Sequence, residues 1–330
     1  MAQKVKKQIE YLLKITDKIG VIEHCIFNKP NYYEGYSTDD NARALQVCLR
    51  FGKEYPILEK VLPVYFNFLK SAFRKGFYYS DLNEDFTWRD NFEINGEHCG
   101  RALVALGEVI KFRPYLNVEA KNTFDQIYNS FSEKKSPHCR VLAQIILGLK
   151  FYHQEDISIW ADLLLHQYLK EKNNDWKWFE EIISYDIGRM PLALLVAYQV
   201  ANNTHYLHTA LESLDFLTEV IFNQKYNCFV FPGNKGWFTK SGNRTIFDQQ
   251  PIEAGSMTEV YSLAFLITKK KKYKDLASKA FAWYTGKNIL KVNLINPKTG
   301  GIHDGFNEKE INLNQGSESV LSYLLAYSAK

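Results

Sequence analysis

Six stretches of the chain place a polar or ionisable residue, a small residue and then an arginine or serine at the head of an apolar run. They read DDNARALQVCL from Asp39, EHCGRALVALG from Glu97, SPHCRVLAQIILGL from Ser136, YDIGRMPLALLVA from Tyr185, PIEAGSMTEVYSLAFL from Pro251 and LNQGSESVLSYLLA from Leu313. Aligned on Arg43, Arg101, Arg140, Arg189, Ser256 and Ser317, the preceding residue is always small, and three residues before stand Asp40, His98, Pro137, Asp186, Glu253 and Asn314. Two carboxylates that face one pocket can serve as general acid and general base. Breaking a glycosidic bond needs such a pair, one protonating the leaving oxygen and one ionised to activate water or attack the sugar. Asp186, Asp40 and Glu253 are the catalytic candidates on this ground, with Asp186 as the acid and Asp40 or Glu253 as the base.

The surrounding residues suit a sugar. The flat rings of Trp88, Trp176, Trp178 and Trp237 can stack on it, and loop acids Asp81, Asp85, Asp90, Glu93, Glu180, Glu181 and Asp304 can bond its hydroxyls. At DDNAR, Asp39 is expected to cap a helix and Asp40 to face the pocket, either being able to pair with Arg43. The four arginines share one register. Their structural use is to neutralise buried acids; their functional use is to hold a phosphate or uronate. His98–Cys99 and His138–Cys139 raise a zinc question, but neighbours on a helix point about 100° apart and do not close a tetrahedron. No metal is expected, and His98 is kept as a base or sugar ligand. GGIHDGF presents His303 and Asp304 on a turn, equally readable as a plain hairpin. The binding set is Asp39, Arg43, Trp88, His98, Arg101, Trp178, Glu180, Glu181, Arg189, Trp237, Gln250, His303, Asp304 and Glu318.

Positioning these residues falls to helices. Between the six apolar runs lie six amphipathic ones, at about 2–18, 56–74, 118–132, 156–171, 205–223 and 271–287. Their charged stripes belong to an outer layer, and the runs apolar nearly all round to an inner one. Six such hairpins close into an all-α (α/α)6 barrel, expected to be a single domain over 1–330. Small residues at the inner starts allow close approach of backbones. The long links, about 19–37, 75–95, 172–186, 224–251 and 288–314, all fall at the end where inner helices begin, and long loops in a compact domain are usually functional. Some of them are expected to pair as short β-hairpins across the mouth.

Bulk properties remove other classes. The chain has 330 residues, 46% hydrophobic and 24% charged, with a net charge of +4 and one dense basic run at Thr268–Asp275. That run reads as a solvated turn, so nucleic acid is not an expected partner. The amphipathic first twenty residues resemble neither a signal peptide nor a membrane span. Five cysteines without C-x-x-C spacing argue against a disulfide framework and fit a reducing cytoplasm. Nucleotide-binding and nucleophile-elbow motifs are missing from the sequence, and no cofactor is expected.

YSTDDNARAL, GRALVALG, WFEEIISYDIGRMPLALL, FDQQPIEAGSM, NPKTGGIHDGF and NQGSESVLSYLLA, spread over almost the whole chain, resemble the six-hairpin glycosidase superfamily. The likeness is strongest to a bacterial branch often labelled glycosyltransferase-like, although this chain has no room for a two-lobed α/β transferase domain. The resemblance implies an (α/α)6 barrel with a carbohydrate cleft at its loop-rich end and inverting acid–base chemistry in many members. Phosphorylases, lyases and histidine-dependent epimerases also occur among its relatives. It points to Asp39, Asp40, Glu180, Glu181, Asp186, Glu253, Asp304 and Glu318. Ile187 stands where many branch members carry a polar residue. Three readings follow: a glycosidase acting on a short mannoside or glucoside, a sugar epimerase or isomerase using His98, His138 or His303, and a non-catalytic glycan-binding protein.

Overall fold

The computed structural model describes residues 5–74, 77–89, 96–132 and 138–330. Residues 2–4 of the first expected helix, and the candidates Asp90, Glu93 and Pro137, lie outside them. Twelve α-helices alternate between two layers among the described residues. The outer ones are α1 (Lys6–Lys14), α3 (Ile57–Ala72), α5 (Asn117–Ser132), α7 (Ile157–Glu171), α9 (Thr204–Ile221) and α11 (Lys271–Ala282). The inner ones are α2 (Thr38–Phe51), α4 (Glu97–Phe112), α6 (Cys139–Leu149), α8 (Arg189–Ala201), α10 (Pro251–Thr268) and α12 (Ser317–Ala329). Each inner helix packs on the next, and α12 packs back on α2, so the ring closes.

Burial follows the sequence pattern. In α3 a single stripe is buried, Leu58, Leu62, Tyr65, Phe66 and Leu69, at the 3–4 spacing of one helical face. In α4 His98 through Ile110 is buried without a break, as expected of a helix enclosed on all sides. Small residues allow that crowding: a Cβ on Gly100 would come within 2.5 Å of Gln144 Cβ, and one on Gly188 within 2.5 Å of Ser256 O.

Two inner helices begin later than the repeat suggests. Asp186 takes φ +50°, a left-handed conformation that a helix cannot absorb, so α8 starts at Arg189. α12 starts at Ser317, after the extended Gly316. The outer helix expected to reach 287 stops at Ala282, where Trp283 and Tyr284 turn inward; their side chains donate to Gln249 Oε1 at 3.3 Å and to Pro251 O at 2.7 Å.

Over the mouth the long loops do pair, as two-residue antiparallel ladders. Tyr36–Ser37 pairs with Asp81–Leu82, tying the first long loop to the second, and Ile182–Ile183 pairs with Phe238–Thr239, tying the third to the fourth. Gln249 and Phe306 exchange main-chain bonds of 3.2 Å. No described helix is long and apolar enough to cross a membrane.

Candidate active site at the barrel mouth

Ser37, in extended conformation, caps α2 by accepting from the Asp40 N–H at 3.2 Å. The cap expected of Asp39 is therefore made by Ser37, because the first helical residue is Thr38 and Asp39 already lies in the first turn. Both aspartates are free to point at the mouth. Asp40 is buried and fully engaged, its Oδ1 accepting from Arg43 at 2.7 Å and its Oδ2 from Ser317 Oγ at 2.6 Å. Asp39 is about a third exposed (32%) and has one weaker partner, Arg101, at 3.3 Å.

These two acids share a cavity of about 470 Å³ with Glu23, His24, Arg43, Tyr185, Gln250, Asp304 and Glu318. Gln250, Asp304, Asn312 and Asn314 also line an adjoining space of about 500 Å³ that runs past Lys235, Asp248 and Phe306. The two form one cleft across the mouth, in the size range of small-ligand sites.

Beneath it lies a network of charges. Arg43 bonds Asp40 and reaches Glu318 at 3.2 Å, and Tyr185 OH donates to the same Glu318 oxygen at 2.6 Å. Arg101 bonds Asp39, Glu97 and Asp186, with its guanidinium over the Tyr185 ring at 5.7 Å. Arg189 holds Asp186 on one side and Glu259 on the other. Arg140 holds Glu97 at 2.6 Å and Glu180 at 3.4 Å. Four arginines thus meet seven carboxylates, Asp39, Asp40, Glu97, Glu180, Asp186, Glu259 and Glu318. Every guanidinium is taken, and the surplus charge is negative, which disfavours a phosphate or uronate ligand.

Protonation separates the acids. Burial raises Glu23 to about 8, reinforced by Asp40, Asp81 and Asp39, so it is a protonated acid at neutral pH. Burial also raises Glu318, against the pull of Arg43. Asp186 differs from its assigned role as a general acid of raised pKa. Burial alone would raise it, but Arg189, Arg101 and Arg43 outweigh burial and hold it below the ordinary range. A carboxylate between two guanidinium groups is held towards its ionised form, the reverse of the raised pKa that a proton donor needs.

Glu253 is likewise a framework residue. Its two oxygens accept from the Asp186 and Ile187 N–H groups, both at 3.0 Å, and burial raises it to about 8 in spite of those bonds. It fixes the turn that aims Asp186 and does not line the cleft.

The other candidates divide. Glu180 sits at the edge of the network, and Glu181 is exposed with its carbonyl accepting from Lys240 N at 2.8 Å. His98 is buried, bonds Tyr78 O at 2.9 Å and stacks on the Tyr78 ring. His303 bonds Leu313 O at 3.1 Å. Each holds a main-chain carbonyl with one ring nitrogen, which fixes the orientation of the ring. His138 is the exposed residue before α6. Trp88 packs on Phe68 and Tyr79. Trp178 is buried edge-on to Phe179, with no partner for its Nε1 among the described residues. Trp237 is half-buried at φ +54°. None of these three rings is among the residues lining the cleft.

Glu23, His24 and Tyr185 were not among the sequence candidates. Val21, Ile22 and Cys25 are buried around Glu23 and His24, and that apolar flanking pins the pair at the mouth.

With the geometry in hand, no family model and no curated protein matches the chain. Solved structures do. A cellobiose 2-epimerase from Bacillus thermoamylovorans superposes with a TM-score of 0.75 at 12% identity, covering 99% of this chain and 98% of its own. A D-mannose isomerase gives 0.75 at 11%, covering 98% and 94%. The fold is the (α/α)6 barrel that these structures share. The same six-hairpin barrel is found in an inactive GH76A α-1,6-mannanase variant from Salegentibacter sp. HEL1_6 in complex with α-1,6-mannotriose. It superposes with a TM-score of 0.62 at 11% identity, over 100% of this chain and 98% of that one. Epimerase, isomerase and mannanase thus share the barrel, and the likeness leaves the choice of chemistry to the site.

Proposed function

We propose that the mouth cleft is a carbohydrate-active site that cleaves a glycosidic bond of a short, uncharged oligosaccharide, a mannoside or glucoside. The observation that carries this reading is the pairing, in one cavity, of a carboxyl held protonated, Glu23, with an accessible carboxylate, Asp39. Glu23 donates to the leaving oxygen and Asp39 activates water, the division of labour a glycosidase requires. Asp40, Arg43, Asp186 and Glu253 position them. The barrel-sharing α-1,6-mannanase variant with two consecutive aspartates replaced by asparagine is inactive, which supports a role for the adjacent pair here, Asp39 in the chemistry and Asp40 in positioning. The test is product analysis on manno- and gluco-oligosaccharides with wild type, Glu23→Gln and Asp39→Asn.

A second reading has its own support. His24 Nε2 lies 3.7 Å from Glu23 Oε1 within the same cavity, and a His–Glu pair can shuttle a proton at a carbon next to a carbonyl, as epimerisation or isomerisation of a free sugar needs. His24→Asn separates the two: it leaves cleavage intact under the first reading and abolishes interconversion under the second.

A further inference from the structure

We propose that the other end of the barrel holds a second binding site, for a small organic carboxylate with an apolar body. A cavity of about 340 Å³ lies on the barrel axis beneath the arginine network and opens where the inner helices end. Arg43 lines both this space and the mouth cavity, so the guanidinium layer is the floor of one and the roof of the other.

Two polar groups in this cavity can meet a ligand. Gln144 is only 4% exposed and lines the cavity, where its amide is open to a ligand. The Lys150 ammonium makes no ion pair among the described residues and lies 5.6 Å from the centre of the Phe151 ring. The other charges on the wall are matched. Arg50 bonds Glu108 at 2.7 Å, and Arg189 bonds Glu259 at 3.1 Å. One positive charge is left over, with an amide to add a second polar contact. Between them Val104, Leu192, Val196 and Leu325 give an apolar wall.

That combination fits a monoanion whose head meets Lys150 and Gln144 and whose body covers the aliphatic wall. It suits a neutral ligand poorly, and a dianion too, because Glu108 and Glu259 stand close by. Burial also lowers the Lys150 pKa, partly offset by Glu108, and an incoming carboxylate would reverse that loss. The end walls thus differ in sign, acid-rich at the mouth and basic on this face.

The test is calorimetric titration of the full chain with hexanoate, acetate and 1-hexanol as probes, repeated on Lys150→Met and Gln144→Met after their melting curves have been checked. Saturable one-site binding of hexanoate is expected, with acetate and hexanol each at least about tenfold weaker, the worth of one charge-assisted contact. Lys150 is partly exposed and its variant is expected to fold normally, so it carries the decision if Gln144→Met does not fold. No saturable binding of hexanoate would overturn the proposal. So would equal binding by Lys150→Met, or hexanol binding as tightly as hexanoate.

Discussion

Ser317 Oγ donates to Asp40 Oδ2 at 2.6 Å, joining residues 277 positions apart. This bond ties the last inner helix to the first and fixes the carboxylate that orients Arg43. Ser317→Ala removes a bond to a charged group and is expected to cost about 1.5–3 kcal/mol. Chemical denaturation measures it, and an unchanged midpoint would show that the ring closure does not depend on this contact.

Glu253 gives a pH signature. Its folded pKa is raised from 4.5 to about 8, so the folded state binds the proton more tightly than the unfolded one. Stability from this group is present below 4.5 and is lost as pH rises through 8. Glu253→Gln should flatten that part of the profile. It should also lower the melting temperature, because the amide presents an N–H to a main-chain N–H, at a cost of about 1–3 kcal/mol. Melting curves from pH 5 to 9 test both effects.

Asp186 has the opposite sign. Its lowered pKa means that its contribution is present above the ordinary carboxylate range and is lost as pH falls through the folded value. Asp186→Asn leaves Arg101 and Arg189 short of a buried partner, with a loss on the order of 3 kcal/mol. If Asp186 were instead the proton donor, the variant would melt like wild type while turnover vanished.

The surplus of carboxylates predicts ligand choice. A neutral mannoside is expected to bind the mouth at least about tenfold more tightly than the matching sugar phosphate, since like-charge juxtaposition costs several kcal/mol, and inorganic phosphate is expected not to stimulate cleavage. Titration of both sugars at two salt concentrations checks this; tighter binding of the phosphate would mean that the arginines are available after all.

The layered barrel was readable because an enclosed helix and a half-exposed one differ in periodicity, and α3 and α4 show both patterns plainly. The capping of α2 was also present in the sequence: Ser37 followed three residues later by Asp40 is a capping-box spacing, although the adjacent aspartates drew attention to Asp39. Glu23 was less accessible. Its pKa is raised by burial and then by Asp40 and Asp81, brought near by the ladder between Tyr36–Ser37 and Asp81–Leu82, and pairing between distant loops leaves no periodic trace. His98 and His303 looked like chemistry because an imidazole often is, but the Tyr78 and Leu313 carbonyls that hold them come from other segments of chain.

The central claim is that Glu23 donates a proton and Asp39 activates water. The direct measurement is the pH dependence of cleavage of a short manno- or gluco-oligosaccharide by wild type, Glu23→Gln and Asp39→Asn, with products identified. Cleavage by wild type that declines as pH rises through about 8, and falls at least about a hundredfold in each variant, is the predicted result. Undiminished cleavage in both variants, or an epimerised sugar as the sole product, would contradict it.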